Sequence, residues 1–541
     1  MVDVLLIQPP IRDFYLTSKR TIPYGLACIA AALVRAGFSV RLLDCLATDR
    51  SRPTPLPREM SYLEKYYAMQ DISPFALFHQ FRYFGYSHQY IEREAKKSNA
   101  RLVGISSLFT TYSEEALEVA GIVRRALPES KIVLGGHHPT VLPQAVLQCG
   151  EIDYVIRGEG EAAMVELAKA LPDDEKVKSV PGIVFRAADG TIHWSSPTLI
   201  EKLDDLPLPA LHLIKGQFYR RRSRGSTVIC TSRGCPLRCS YCSVGNSSYS
   251  RYRRRDVESV LAEIRLAVSE LDAGFIDFED ENISMEKSWF LELLHGIREL
   301  FGNHNLELRA MNGLFPPTLD DEVIKAMAAA GFKTLNLSLG TTSHRQLQKF
   351  CRPNVTAAVE KALLAAEKYG LQAVGYIIVG APGQNPHDSL QDLLFFAEKR
   401  VLAGISVFYP SPGRPDFRKC ARMGILPKSF SLMRATAIPL SHKTSRDDTV
   451  TLLRLGRVLN FMKSLLDVGV DVPQPSPFKS PHPEQVGDRL EVGKMLLQGF
   501  LHDGLIRGIT SGGEVFEHRT SRGLCDAFKN SCAAMKLRGA R

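Results

Sequence analysis

Short apolar runs alternate with stretches of helical periodicity over residues 1–170, the pattern of a parallel sheet with helices between its strands. Residues 2–8 (VDVLLIQ), 39–44 (SVRLLD), 102–107 (LVGISS), 131–136 (KIVLGG) and 153–158 (DYVIRG) read as strands. Residues 24–38 (YGLACIAAALVRAGF) read as a helix ending at Gly37, with further helical stretches at 113–127 and 140–149. This series predicts a doubly wound domain over 1–180. Ligands of such sheets bind beyond the carboxyl ends of the strands, which makes Ser106, Ser107, Gly135, Gly136, Gly158 and Glu159 candidate cofactor contacts. The tract from about 50 to 98 is too long for a simple connection, and a functional insertion or a lid is expected there.

Residues 182–195 (GIVFRAADGTIHWS) alternate in period two around Asp189-Gly190, a hairpin signal. Followed by LDDLPLPAL, they are expected to form a hairpin and linker over 181–225. A second series then runs through strands at 226–232, 275–281, 306–312, 334–340, 373–380 and 404–410, with helical patterns at 256–271, 320–330, 355–369 and 387–402. It predicts a complete or partial (β/α) barrel over 226–420 with its active end at the strands' carboxyl termini. From 421 to 541 the strand signals stop and amphipathic helices predominate, so a mostly α C-terminal domain is expected. The fold class is α/β, with a Rossmann-like first domain.

A chain of 541 residues exceeds what one core supports, in keeping with this division. With 45% hydrophobic and 23% charged residues, the composition is that of a globular protein. The N-terminus lacks a cationic segment with a long apolar stretch, and no apolar run approaches the roughly 20 residues of a membrane-spanning helix. A soluble cytoplasmic protein is expected. Eleven scattered cysteines fit a reducing compartment better than a disulfide framework. Cys525 and Cys532 form a lone pair near the C-terminus, and small buried hydrophobes are expected at most of the others. The net charge of +10 gathers in YRRRSRG (219–225) and SRYRRRD (250–256). Without a nucleic-acid-binding module pattern, these runs are expected to be solvated faces or to attract an anionic small substrate, and no nucleic-acid partner is expected.

The one tight cysteine group is GCPLRCSYCS (234–243), which places Cys235, Cys239 and Cys242 in C-x3-C-x2-C spacing just after the first barrel strand. A structural zinc needs a fourth protein ligand, and no nearby Cys or His supplies one, since Cys230 lies in the preceding strand. An iron–sulfur cubane held by three thiolates leaves one iron open to a small molecule.

CPLRCSYC, with Tyr241 before the third cysteine, resembles the signature of the radical S-adenosylmethionine superfamily. The resemblance implies a [4Fe-4S] cluster on Cys235, Cys239 and Cys242, whose open iron chelates S-adenosylmethionine. One-electron cleavage then yields a 5′-deoxyadenosyl radical. It also implies a small electron-donor protein such as a flavodoxin or ferredoxin. By the same resemblance Asp280, Glu281 and Asn282, at the end of the second barrel strand, lie near the methionyl amino group. Ser338 and Gly340 stand where a ribose or carboxylate contact is found, and Tyr241 joins the same nucleoside site. Thr341 and Thr342 depart from the acidic residue usual after this contact. GAPGQ (380–384) and YPSPGRP (409–415) are similar to the family's turns beside late barrel strands.

Residues 1–180 resemble the vitamin B12-binding domain found upstream of many such enzymes, through YGLACIAAALVRAGFSVRLLD, VGISSLFTTY and LGGHHPTVLP…DYVIRGEGE. That assigns Ser106, Ser107, Gly135, Gly136, Gly158 and Glu159 to cobalamin. The Asp-x-His-x-x-Gly motif that supplies a lower axial histidine is absent, and His137 and His138 are expected to serve loop hydrogen bonding. Together the halves imply methyl transfer to an unactivated carbon or phosphorus centre of a small molecule or lipid lying between the domains. Three alternatives stay open: ring formation or rearrangement with no methyl delivered, transfer of an aminocarboxypropyl group, and a non-catalytic iron–sulfur or zinc protein.

Overall fold

The computed structural model describes residues 2–17, 21–67, 69–244 and 251–541. Ala68 of the 50–98 tract and Ser250 of the second basic run lie outside the described residues. The N-terminal sheet has seven strands: β1 (Val4–Gln8), β2 (Val40–Asp44), β3 (Leu102–Ser106), β4 (Lys131–Gly135), β5 (Tyr154–Ile156), β6 (Ile183–Arg186) and β7 (Ile192–Trp194). Their order is β7-β6-β5-β4-β3-β1-β2, and β1 to β5 run parallel.

Period-two alternation sends successive side chains to opposite faces of this sheet. Leu5, Ile7, Val103 and Ile105 pack with Ala116, Val119 and Val123 of α2 (Ser113–Ala126). Val4, Leu6, Leu102 and Val133 pack on the other face with Leu26, Ala30 and Leu33 of α1 (Tyr24–Arg35) and Ala163 and Leu167 of α3 (Gly160–Ala170). A strand buried on both faces must read as a continuous apolar run, as β1 does.

The hairpin expected to be part of a linker is instead the edge of this sheet. Strand β6 pairs antiparallel with β5, Val184 opposite Val155 and Ile183 opposite Ile156, and both β6 residues are fully buried. The helix expected over 140–149 is two short ones, His137–Val141 and Pro143–Val146, because Pro143 has no N–H to continue the first.

Among the described residues the barrel of the second unit is built on six strands: β8 (Arg224–Ile229), β9 (Ala273–Phe278), β10 (Glu307–Arg309), β11 (Thr334–Gly340), β12 (Gln372–Val379) and β13 (Leu402–Val407). Their parallel pairing gives two sheets, β8-β9-β10, extended past β8 by the antiparallel strand Arg220–Arg221, and β11-β12-β13, joined through the isolated bridges Leu308–Phe332 and Leu314–Leu337. This is an open, partial barrel. Helices α4 (Val257–Leu271), α5 (Lys287–Phe301), α6 (Asp321–Ala330), α7 (Thr356–Lys368) and α8 (Pro386–Phe395) alternate with the strands. Helix α9 (Arg446–Asp467) covers the free edge of β13, where Asn460 both accepts from Ala403 N and donates to Ala403 O at 2.9 Å. One amide side chain thus satisfies an edge residue that water or another strand would otherwise claim.

The C-terminal region continues through α10 (Arg489–Asp503) and α11 (Arg522–Ala533). It also contains a small antiparallel hairpin, Arg507–Ile509 with Val515–Glu517, which helical periodicity could not reveal. Cys525 and Cys532 are buried in its core, as packing residues. Among the described residues no helix is long and apolar enough to cross a membrane.

The 50–98 tract is docked rather than free. Ser51–Pro53 and Arg82–Phe84 form an antiparallel sheet with Ile11–Asp13, and Met60, Leu63, Tyr66 and Tyr67 share a core with Leu432, Ala437, Ile438 and Val450. Asp71 accepts from His518 Nε2 at 2.8 Å and from Ile509 N at 3.3 Å, which fastens the tract to the C-terminal hairpin.

Candidate active site

The loop after β8 carries the three clustered cysteines. Gly234, at φ +83°, makes the turn into it, a conformation favoured by glycine. Cys242 N donates to Cys239 O at 3.3 Å. Burial pushes the Cys235 thiol up, and Cys242, Glu281 and Cys239 lie within its electrostatic reach. The middle of the loop is clamped from two sides. Ser240 N donates to Phe350 O at 2.9 Å, while Ser240 Oγ meets Asp416 Oδ2 at 2.7 Å and Lys349 O at 3.1 Å.

Arg352 is the residue that sequence reasoning missed. Buried, it donates from Nη2 to Ser338 Oγ at 2.6 Å and to Ser338 O at 2.5 Å. Its Nη1 lies 3.8 Å from Cys239 Sγ and 3.4 Å from the Tyr241 hydroxyl. Its Nε is buried with no partner among the described residues. Gly340, at φ +82°, leaves room for it, since a Cβ there would stand 3.1 Å from that nitrogen.

The structure separates the residues expected around the nucleoside. Asp280 is buried and accepts from Thr231 N, Thr231 Oγ1 (2.7 Å) and Ser232 Oγ (2.5 Å), so its carboxylate ties the end of β8 to β9 rather than facing a ligand. Asn282 accepts from Ser284 Oγ at 3.0 Å and is also buried, a turn-forming role. Glu281 alone of the three lies beside the cysteine loop. Burial, with Asp280 and Glu279 nearby, pushes its carboxyl up to about 7. Tyr241 turns away into an apolar cluster, its ring edge-on to Phe350 at 4.9 Å, so it packs behind the loop. Thr342 commits both its amide and its hydroxyl to Asp392 Oδ1 at 2.6 Å, and burial pushes Asp392 up to about 6.

On the N-terminal side, Ser106, Ser107, Gly135 and Gly136 meet where β3 and β4 end. Ser107 N donates to Gly135 O at 2.8 Å. A Cβ on Gly136 (φ +122°) would stand 2.6 Å from Ser107 O, so only glycine lets these loops close. Ser107 Oγ and His138 Nδ1 are buried without partners among the described residues. Burial pulls His138 down to about 4 and lowers His137, which Arg414 also disfavours as a cation. Gly158 N donates to Thr140 Oγ1 at 3.0 Å.

Glu159 has a different role from the cofactor contact expected. It accepts from Ile200 N, from Arg233 at 3.0 Å and from both Nη atoms of Arg253 at 2.9 Å, while Arg233 also pairs with Glu161. Arg233 lies two residues before Cys235, so this ion-pair group joins the N-terminal domain to the root of the cysteine loop. The basic run at 250–256 is absorbed likewise: Arg251, Arg253, Arg254 and Arg255 pair with Glu201, Glu159, Glu286 and Glu263. In 219–225, Arg220 and Arg224 pair with Asp272, and Arg221 with Glu307.

The two mouths face each other. A Cβ on Gly413 would stand 2.9 Å from Val141, at the end of the short helix His137–Val141 that follows β4, and Arg414 donates to Ser243 O while lying within reach of His137. Tyr409 lies within reach of both Cys242 and Tyr15.

A family model described as the B12 binding domain matches residues 78–168, and one described as the radical SAM superfamily matches 229–396. The chain belongs to the cobalamin-dependent radical S-adenosylmethionine enzymes. Its cofactors are a [4Fe-4S] cluster, S-adenosylmethionine and cobalamin. This radical enzyme is 26% identical over 422 residues to an uncharacterized methyltransferase of Pyrococcus horikoshii, covering 76% of this chain and 82% of that one. It is 26% identical over 472 residues to the cytidylyl-2-hydroxyethylphosphonate methyltransferase of Streptomyces wedmorensis, covering 80% and 84%. Its fold is similar to that of the radical S-adenosylmethionine methyltransferase TsrM from Kitasatospora setae, solved with cobalamin and a [4Fe-4S] cluster, with a TM-score of 0.57 and 19% identity over 78% of this chain and 74% of that one.

The residues present fit these groups. Among the described residues no three His, Cys, Asp or Glu side chains form a complete metal-holding group, but the loop offers three thiols and an adjacent buried guanidinium, the donor chemistry and charge of an iron–sulfur site. Buried polar atoms are normally hydrogen-bonded, and the unpaired Ser107 Oγ and His138 Nδ1 lie where the B12-type sheet presents its ligand.

Proposed function

We propose that this enzyme is a methyltransferase that delivers a methyl group to an unactivated carbon or phosphorus centre of a small molecule or lipid bound between its two mouths. The observation that carries this reading is the approach of the short helix after β4 to the loop after β13, through Val141 with Gly413 and His137 with Arg414, beside the cysteine loop. When bound, the cofactors supply hydrogen-atom abstraction and a transferable methyl group; the protein orients them and excludes water.

In this reading Cys235, Cys239 and Cys242 hold the cluster. Glu281 receives the methionyl ammonium of S-adenosylmethionine, a contact that requires it ionised. Arg352 fixes Ser338 and the Cys239 segment in one geometry and offers positive charge to the thiolates. Ser107 and Gly136 form the cobalamin cradle, with neutral His137 and His138 giving polar contacts. Both relatives named above are described as methyltransferases, which supports methyl delivery over ring formation. A small redox protein supplies the electron.

The test is anaerobic reconstitution with iron, sulfide and hydroxocobalamin, then incubation with S-adenosylmethionine bearing a deuterated methyl group and a small-molecule and lipid extract of the source cells. A labelled product accompanied by 5′-deoxyadenosine and S-adenosylhomocysteine is expected. 5′-Deoxyadenosine without a labelled product would sink methyl transfer in favour of rearrangement, and 5′-methylthioadenosine would mark aminocarboxypropyl transfer.

A further inference from the structure

Most arginines of this protein that serve its architecture have carboxylate partners, as the run at 250–256 shows. Behind the cysteine loop the pattern reverses. Lys349 Nζ donates to Gly383 O at 3.1 Å, and Lys419 Nζ donates to Pro382 O at 3.2 Å, so two ammonium groups sit on successive carbonyls of one turn. Arg345 and Lys443 lie within electrostatic reach of Lys349, and His442 Nε2 lies 3.0 Å from Gly380 O beside them. The acids facing this group are Asp388, which lies 3.6 Å from Arg345 and accepts from Ser343 Oγ, and Asp416, which lies within electrostatic reach of Lys419 and accepts from Ser240 Oγ. Among the described residues Lys349, Lys419 and Lys443 form no ion pair with a carboxylate. Crowding like charges opposes itself unless an anion arrives from outside.

The position of the patch says which anion. Lys349 immediately precedes Phe350, and these two residues' carbonyls hold Ser240, between Cys239 and Tyr241. Lys419 is on the helix Pro415–Arg422, whose Asp416 holds the same serine. The patch therefore lies on the two segments that clamp the cysteine loop, and the loop itself exposes Pro236 and Arg238. Cations spread over four chain segments suit a surface more than a pocket: Arg238, Arg345 and Lys443 are exposed, and Lys349 and Lys419 are half-buried beside them.

We propose that Arg238, Arg345, Lys349, Lys419 and Lys443 form the docking surface for a small acidic one-electron carrier protein, whose electron enters through the cysteine loop. This rests on the reading of that loop as the cluster site. In the docked pair the carrier is oxidised by one electron and the cluster reduced by one, with no atoms exchanged. Complementary charge of this kind chiefly raises the association rate and makes it salt-sensitive.

The probe is a reduced acidic bacterial flavodoxin mixed with the reconstituted holoenzyme, cluster reduction being followed by stopped-flow absorbance. In the triple variant Lys349→Gln/Lys419→Gln/Lys443→Gln the second-order rate at low salt should fall about tenfold or more, with a flatter salt dependence. Reduction by the small methyl viologen radical cation should not slow. The single variant Lys443→Glu, at an exposed position, tests the same surface where the triple variant folds poorly, and should also slow the flavodoxin reaction. Wild-type rates and salt slopes in both variants would overturn the proposal. So would loss of inorganic phosphate binding with flavodoxin kinetics intact, which would mark a small-anion site instead. Anisotropy of labelled oxidised flavodoxin reads docking independently of the cluster: absent cluster absorbance with salt-sensitive docking would defeat the cluster reading and leave the surface standing.

Discussion

Arg352 reaches Ser338 across the barrel mouth, from Nη2 to Oγ at 2.6 Å, while its other terminal nitrogen lies 3.8 Å from Cys239 Sγ. One guanidinium thus links the end of β11 to the cysteine loop, and among the described residues no carboxylate pairs with it. Cluster potentials respond to net charge and to hydrogen bonds on sulfur. Arg352→Gln should shift the cluster potential negative by about 60 mV, a tenfold change in a one-electron equilibrium. EPR-monitored potentiometry reads this, and an unchanged potential would reduce Arg352 to a packing role.

The three loop thiols should act as a set. Single Cys→Ala changes at 235, 239 or 242 are each expected to lose most bound iron and sulfide and the broad visible absorbance. Cys230→Ala should retain both, because Cys230 lies among Asp280, Cys28 and Arg233. Iron and sulfide analysis of reconstituted protein decides it, and a Cys230 variant that fails like the others would make that thiol a ligand.

Gly136→Ala places a Cβ 2.6 Å from Ser107 O at a φ of +122° that side chains rarely adopt. The loops after β3 and β4 must then separate. Bound corrinoid per protein, measured by absorbance, should fall several-fold while iron content stays at the wild-type level. Full corrinoid occupancy would place the cobalamin elsewhere.

Glu115, in the first turn of α2, is pushed up to about 7 by burial, despite Arg434 and Arg12 nearby. The folded protein therefore holds this proton more tightly than the unfolded chain does. Stability should decline as pH rises from 4.5 towards 7, by at most about 3 kcal/mol from this group. Glu115→Gln keeps an acceptor for Arg12 N and should flatten that decline in urea unfolding at pH 5 and pH 7.5. An unaltered pH slope would show that the carboxyl is solvated.

Asp13 and Arg434 are both buried, 3.2 Å apart, and Asp13 also accepts from Tyr112 and Thr436. Removing one member of such a pair leaves the other charged and buried, at about 3–5 kcal/mol. Asp13→Ala should lower the urea midpoint by that measure, and a shift below about 1 kcal/mol would mean water reaches Arg434.

What the chain reveals by pattern and what it hides differ in kind. The parallel strands were legible because burial on both faces forces apolar runs. The hairpin at 183–194 was legible as a hairpin, but nothing local says that Val184 pairs with Val155. At the end of β9, Asp280, Glu281 and Asn282 are alike as polar residues after a strand. Only geometry shows that Asp280 binds the strand beside it and Glu281 lies by the cysteines. Arg352 is one of 68 Lys and Arg residues, and its burial depends on Gly340 and Ser338, which meet it only in the folded barrel.

The docking of the 50–98 tract onto the C-terminal region bears on how the chain matures on the ribosome. Asp71 and His518 meet across 447 positions, and Tyr67 finds Ile438 and Val450 only after most of the polypeptide has been made. Contacts so distant in sequence form slowly and late. Until translation passes residue 450, the nascent first domain carries an uncovered aromatic flank, a natural client for a chaperone.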